Sequence, residues 1–293
     1  MGIFLNSAAP YSLYESEVKK PYFVDKSLML EELFLPAETG NSHICITRPR
    51  RFGKTVMANM VSAFFSRGVD STEIFSKLKI AESTGYKKHL NTHDVIRIDF
   101  SRMPRNCNSY DQYIERIERI LTQDLMEAYP KADIQEEDAV WDSLDLVYER
   151  YGCQRFIFVF DEWDCIFREF RQNKEAQEKY LDFLRDLLKD KACIHLAYMT
   201  GILPIKKYGT HSALYEGFTE VKTNSMINPG PLAPYVGFTE VEVEYLCHKY
   251  RMDMEEVKAW YDGYSFSMAA SVYSPRSVVN SMLFGKIENY WNQ

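Results

Sequence analysis

The chain has no pair of cysteines spaced as CxxC. Its six cysteines, Cys45, Cys107, Cys153, Cys165, Cys193 and Cys247, are scattered through 293 residues. That scatter excludes a zinc ribbon and a disulfide framework, and it reads as reduced thiols in a core. Long apolar runs are also missing: nothing approaches the ~20 residues a membrane-spanning helix needs. No charged-then-apolar leader opens the chain. A soluble protein of the reducing cytoplasm is expected, with no membrane partner. A basic excess is lacking too, since 35 Lys and Arg face 42 Asp and Glu for a formal net charge of -7. Nucleic-acid contact would therefore have to come from a local basic cluster. Repeats and low-complexity segments are absent, and the histidines are read as lacking an HxxxH or similar spacing, so zinc is not expected.

What is present is core-forming sequence, 46% hydrophobic and 14% aromatic, well above the range of disordered chains. Five short β-prone runs stand out: His43–Thr47, Val95–Asp99, Phe156–Phe160, Ile194–Tyr198 and Phe218–Lys222. The third is apolar throughout, as a central strand covered on both faces would be. Helical spacing fills the intervals. After Lys54, residues Met57, Met60, Val61, Phe64 and Phe65 recur at three and four. Tyr110–Tyr129, Asp138–Tyr151 and Glu175–Leu188 also read as helices. Alternating strands and helices predict an α/β fold with a mostly parallel sheet.

From about Gly237 the pattern becomes helices only: Thr239–Tyr250, Met254–Tyr261 and Ser277–Phe284, the first opened by a capping box of Thr239 and Glu242. The proline-rich stretch Asn228–Pro234 is read as a connector. The expected organisation is a core over 1–234 and a small helical subdomain over 235–293.

The stretch "ITRPRRFGKT", Ile46 to Thr55, ends like a phosphate-binding loop and begins unlike one. Gly53-Lys54-Thr55 supplies the GK[ST] tail, but Arg48 stands where the first glycine of GxxxxGK[ST] belongs. The context is that of a P-loop: a strand precedes it and an amphipathic helix follows, so helix amides would face an anion. Gly53 lets the backbone approach phosphate, Lys54 would reach the β- and γ-phosphates, and Thr55, beside Val56, would coordinate Mg²⁺. A second element strengthens this. "RFIFVFDEWD", Arg155 to Asp164, is an apolar strand ending in two carboxylates. Asp161 would hold Mg²⁺ through water opposite Thr55, and Glu162 would polarise an attacking water. The next strand runs into Thr200, where a group sensing the γ-phosphate is expected.

These segments together resemble one family. "ITRPRRFGKT" is similar to the signature of the AAA-ATPase-like family of bacterial and archaeal P-loop proteins, in which an Arg-Pro-Arg-Arg-Phe run replaces the first glycine. "YFVDKSLMLEELF" (Tyr22–Phe34), "IRIDFS" (Ile96–Ser101), "VFDEWD" (Val159–Asp164) and "YMTGIL" (Tyr198–Leu203) follow in that family's order. So do "VGFTEVEV" (Val236–Val243), "VKAWYDGYSF" (Val257–Phe266) and "VYSPRSVVN" (Val272–Asn280). The resemblance implies a P-loop NTPase of the additional-strand, catalytic-glutamate class with five strands in order 5-1-4-3-2. It also implies a C-terminal PD-(D/E)XK nuclease domain in many relatives, whose carboxylates are not seen in this chain. Relatives carry a basic residue where Pro204 sits, for which Lys206 or Lys207 could substitute. They often carry an aromatic where Arg276 sits, read here as a surface or helix-cap arginine or as a group reaching nucleotide.

The expected ligands are ATP or ADP with Mg²⁺, bound over Arg48, Pro49, Arg50, Arg51, Phe52, Gly53, Lys54, Thr55 and Val56. Lys54, Glu162 and Thr200 are the expected catalytic groups, and Thr55 and Asp161 the metal ligands. The three arginines are read as a nucleotide clamp, partners of the acidic face near Asp161, or contacts to a neighbouring subunit. Asp25 and Lys26 are read as packing over the nucleotide or as a surface turn, and Asp99 as support for the magnesium water shell. Trp260, Tyr261, Tyr264 and Phe266 are read as the core of the helical subdomain. Hydrolysis would control an effector, a nuclease by resemblance, with DNA and a homo-oligomer as further partners. The rival readings are a non-hydrolysing assembly module and a small-molecule kinase.

Overall fold

The computed structural model describes residues 1–40, 42–203, 222–224, 230–261 and 271–290. Its centre is a parallel sheet of β1 (Ser42–Thr47), β2 (Asp94–Asp99), β3 (Phe156–Asp161), β4 (Ile194–Gly201) and β5 (Lys222–Asn224). The spatial order is β2-β3-β4-β1-β5. Of the fifth expected strand, Phe218–Lys222, residues 218–221 lie outside the described residues. Pro204, Lys206, Lys207, Tyr264 and Phe266 also lie outside them.

Side chains alternate across a strand, so each one feeds two cores. Phe156, Phe158 and Phe160 of β3 pack on one face with α6 (Tyr110–Ala128), α7 (Val140–Arg150) and α9 (Lys174–Leu188). Ile157 and Val159 pack on the other face with α1 (Ala9–Val18), α2 (Glu31–Thr39) and α3 (Lys54–Phe65). All six residues of β3 are buried, which is why its sequence shows no polar alternation. Single helical turns α4 (Thr72–Phe75) and α5 (Tyr86–His89) line the approach to β2. In β4 the register against β3 slips after the Phe156–Ile194 pair, so His195 is the extra residue of a bulge.

The C-terminal segment contains more than helices. β6 (Phe238–Thr239) and β7 (Val272–Tyr273) form an antiparallel pair beside the helices Glu240–Tyr250, Met254–Tyr261 and Pro275–Phe284. Two-residue strands are too short to print a period-2 pattern in sequence. Phe238, Val243, Leu246, Val257, Tyr261, Tyr273, Val278 and Met282 form a third apolar cluster here. Trp260, expected in that core, is exposed. The capping box of Thr239 and Glu242 is present. Pro275 opens the last helix, two residues before the expected start, a position where its missing N–H costs nothing.

All six cysteines are unpaired thiols and five are buried. His89 and His93 do stand four apart, which corrects the expectation that the histidines have no HxxxH spacing. Their rings stack and share a 3.0 Å Nδ1···Nε2 contact. Among the described residues no group of three potential ligands could hold a metal ion.

Candidate functional site

The site is assembled at the C-terminal ends of β1, β3 and β4, where parallel sheets place their ligands. β1 hands the chain to the loop Arg48–Gly53, whose first amide donates to Gly201 O at 3.1 Å. Arg51 (φ 72°) and Gly53 (φ 83°) both adopt left-handed backbone and turn the chain into α3. Glycine takes that conformation without strain, so a Cβ at Gly53 would be opposed by backbone geometry, since no other atom lies within 4 Å. Lys54 then folds back under its own loop. Its Nζ donates to Arg48 O and Pro49 O, both at 3.0 Å, and stands 3.9 Å from Glu162 Oε1. Burial pushes the Lys54 pKa down, opposed by Glu162, Asp161 and Asp164.

β3 delivers the carboxylates. Asp161 is fully buried; its Oδ1 accepts from the Thr200 hydroxyl and its Oδ2 from Arg97 Nη2 at 3.1 Å. Glu162 follows with a left-handed backbone (φ 53°), uncommon for a residue with a Cβ and costly unless the surroundings enforce it. The enforcing contact is Trp163, whose amide donates to Thr200 O at 3.0 Å and locks the end of β3 onto β4. Gly201 permits this approach, because a Cβ there would lie 2.6 Å from the Trp163 ring. Glu162 Oε2 accepts from Arg168 Nη2, on the short helix α8 (Cys165–Glu169). Burial raises the Glu162 pKa, and Lys54 and Arg168 pull it back down.

A cavity of about 1050 Å³ opens over these groups. Its walls include Phe52 to Met57 of the loop and α3, Asp99 to Ser101 after β2, and Glu162 and Arg168. The N-terminal residues Tyr14, Tyr22, Phe23 and Val24 close one side, and Tyr235, Phe238, Arg276 and Val279 another. Among the described residues, seven cationic side chains line it (Lys20, Lys26, Arg50, Arg51, Lys54, Arg168, Arg276) against four carboxylates (Glu17, Asp99, Glu162, Glu169). In a chain of net charge -7, that local excess selects for an anion.

The loop residues divide sharply. Arg50 is exposed at the rim, 3.8 Å from Glu169 Oε1, and Arg51 reaches the backbone carbonyl of Tyr290. Thr55 is exposed and Val56 half-buried on the cavity wall. Arg48 corrects expectation: its side chain is 1% exposed, donates to Thr47 O at 2.9 Å and does not line the cavity. Burial pushes its pKa down to about 10. Pro49 offers the loop only its carbonyl to Lys54. Thr200 is likewise buried and outside the lining; its hydroxyl reaches Asp161 instead of the cavity.

Hard oxygen donors suit Mg²⁺, and Thr55 with Asp161 and Glu162 forms an oxygen-only set. Thr55 and Glu162 face the cavity while Asp161 sits behind them, which fits a role for Asp161 through water rather than by direct ligation. Asp99 lines the cavity, but its carboxylate binds Ser101 N, Ser101 Oγ at 2.6 Å and Arg102 Nε at 2.7 Å. Asp25 accepts from Ser27 N at 2.8 Å and Lys79 N at 2.7 Å. Lys26 donates to Pro234 O at 2.7 Å and to Glu242, so this opening motif ties the N-terminal segment to the C-terminal one.

Sequence reasoning missed Arg97 and Arg168. A lone cation inside the apolar run "VIRID" was the available signal for Arg97. For Arg168 it was the i,i+4 spacing from Asp164, whose Oδ2 lies 3.2 Å from Arg168 Nε. Of the N-terminal wall, Tyr22, Phe23 and Val24 belong to the opening motif quoted from the sequence, whereas Tyr14 lies outside every motif quoted there.

A parallel α/β sheet with a lysine-bearing loop and a carboxylate pair at its strand ends defines the P-loop ATPase class. Within it, the chain belongs to the predicted AAA-ATPase family, whose model matches residues 14–210. The chain is 26% identical over 279 residues to an uncharacterized protein in the vnfD 5' region of Azotobacter chroococcum mcd 1. That match covers 92% of this chain and 50% of the relative, so the chain spans about half of the relative's length. Among solved structures it is similar to the Walker-type ATPase paby2304 of Pyrococcus abyssi, at TM-score 0.46 and 13% identity over 89% of this chain and 67% of that one. It is also similar to PCH-2 of C. elegans, at TM-score 0.31 and 12% identity over 89% of this chain and 52% of that one. No helix among the described residues is long and apolar enough to cross a membrane.

Proposed function

We propose that the chain is an ATP-binding and ATP-hydrolysing module whose nucleotide state controls an effector. The observation that carries this reading is convergence. Lys54 at the start of α3 and Glu162 at the end of β3, distant in sequence, face one cationic cavity with 3.9 Å between their charged atoms.

In this reading the triphosphate lies over the N-terminus of α3, where unpaired helix amides and the helix dipole favour anions. Lys54 exchanges its loop carbonyls for phosphate oxygens. Thr55 and Asp161 would hold Mg²⁺, which would supply positive charge to offset that of the phosphates. Thr200 and Arg97 orient Asp161. Glu162 accepts a proton from water as the water oxygen bonds to the γ-phosphorus and the bond to the ADP oxygen breaks. Arg50, Arg51 and Arg276 supply further positive charge at the rim.

The proposed units are a core over 1–234, of the additional-strand class, and a C-terminal unit over 235–293. The C-terminal unit closes the cavity through Phe238, Arg276 and Val279, so nucleotide contacts there would shift its position relative to the core. The effector is proposed to be a nuclease, by family resemblance.

The test is Glu162→Gln in the full chain, assayed for ATP turnover and ATP affinity. Turnover should fall about 100-fold or more while affinity stays within a few-fold, because the amide keeps the shape and loses the proton acceptor. Wild-type turnover by that variant would remove Glu162 from the reaction.

A further inference from the structure

We propose that Arg168 is a positioning residue that holds Glu162 in a resting state, and that hydrolysis requires this pair to open. The inference rests on the proposed ATPase reading and assigns that site a built-in restraint.

Arg168 bridges two carboxylates. Its Nη2 donates to Glu162 Oε2 and its Nε to Asp164 Oδ2 at 3.2 Å. The Arg168 side chain is only 12% exposed, so water screens the pair weakly. Glu162 Oε1 faces Lys54 Nζ at 3.9 Å. Both oxygens of the proposed base are therefore turned towards cations. A carboxylate so engaged accepts a proton from water poorly, because the transfer would forfeit a charge-assisted hydrogen bond.

The restraint is anchored in the sheet. Asp164 is fully buried, and its Oδ2 also accepts from Ile202 N at 3.1 Å and Leu203 N at 2.8 Å, the residues directly after Thr200 and Gly201. Arg168 thus links the base to the end of β4, while Thr200 holds Asp161 from the same strand. A triphosphate drawn to Lys54 removes one of the two cations facing Glu162, leaving Arg168 as the remaining restraint.

The experiment compares full-length wild type with Arg168→Ala, Arg168→Lys, Glu162→Gln and the Glu162→Gln/Arg168→Ala double variant. Each is assayed for kcat, KM and equilibrium ATP affinity, with thermal melting as the folding control. Arg168→Ala should raise kcat, measured at ATP saturation for each variant, about threefold or more. Arg168→Lys keeps the charge but cannot fork between Glu162 and Asp164, so it should fall between the two. The double variant should be as slow as Glu162→Gln alone, which shows that the gain runs through the base. An unchanged or lowered kcat in folded Arg168→Ala, with wild type binding and hydrolysing ATP, overturns the restraint and leaves the ATPase reading intact. Wild type that neither binds nor hydrolyses ATP overturns both. If Arg168→Ala melts out, the ordering of Arg168→Lys above wild type decides the matter, and a Lys variant at or below wild type counts against the proposal.

Discussion

Lys54 keeps a charge in a place where burial makes charge costly, compensated by two loop carbonyls and a carboxylate at the edge of ion-pair distance. A buried cation with such loose compensation is poised to meet an anion. Lys54→Ala should weaken ATP binding by about 10- to 100-fold, the worth of a hydrogen bond to a charged group, as read by equilibrium titration. Near wild-type affinity would count against a phosphate at that position. Thr200 is the corresponding structural test. Thr200→Val removes the hydroxyl that serves Asp161 and should cost about 1–3 kcal/mol in denaturant unfolding, with turnover lowered as Asp161 loses its orientation. The placement of Gly53, Lys54 and Thr55 at the start of α3 and of Asp161 and Glu162 at the end of β3 was legible in the sequence, because a strand-loop-helix pattern and an apolar strand mark those positions. The partners of these groups were not. Arg48 turns inward and Arg168 turns onto Glu162 only because of how the loop and α8 fold, and a run of arginines does not record which ones are buried.

Among the elements, β1 and β3 were legible because strands buried on both faces print continuous apolar runs. α1 and α2 were not, since α1 buries only Pro10 and Tyr14 and α2 carries Pro36 in its interior. The C-terminal strand pair escaped notice through its brevity. What joins these elements is Lys26, buried between Pro234 O and Glu242, which at the same time caps its own helix through Thr239 N at 2.8 Å. Burial lowers the Lys26 pKa and Glu242 opposes it. Lys26→Ala should destabilise the chain by about 3 kcal/mol, the low end for removing one partner of a buried pair, because Glu242 keeps some access to water. Urea unfolding measures this directly. A variant as stable as wild type would mean that the N-terminal and C-terminal segments are held together elsewhere.

At the scale of the whole molecule, the two ends of the sheet carry different charge chemistry. The cavity end concentrates cations on an acidic chain. The opposite end holds a buried His89 and half-buried His93 and His195, with Glu38 and Lys88 beside them. Burial pushes the His93 pKa down to about 3, helped by His195, His89 and Arg67, and burial lowers His89 and His195 as well. A histidine depressed in the folded state binds its proton more readily once unfolded, at a pKa of about 6.5. Its contribution to stability is therefore complete above that value and is lost as pH falls from about 6.5 towards 3. Stability measured in urea should drop by about 2 kcal/mol between pH 7 and pH 5 from His93 alone, and His93→Gln should flatten that slope. The central claim concerns the other end. A structure of the full chain with a slowly hydrolysed ATP analogue and Mg²⁺ tests it most directly. The account predicts the terminal phosphates between the N-terminus of α3, Lys54 and Glu162; an analogue bound elsewhere, or none bound at millimolar concentration, would contradict it.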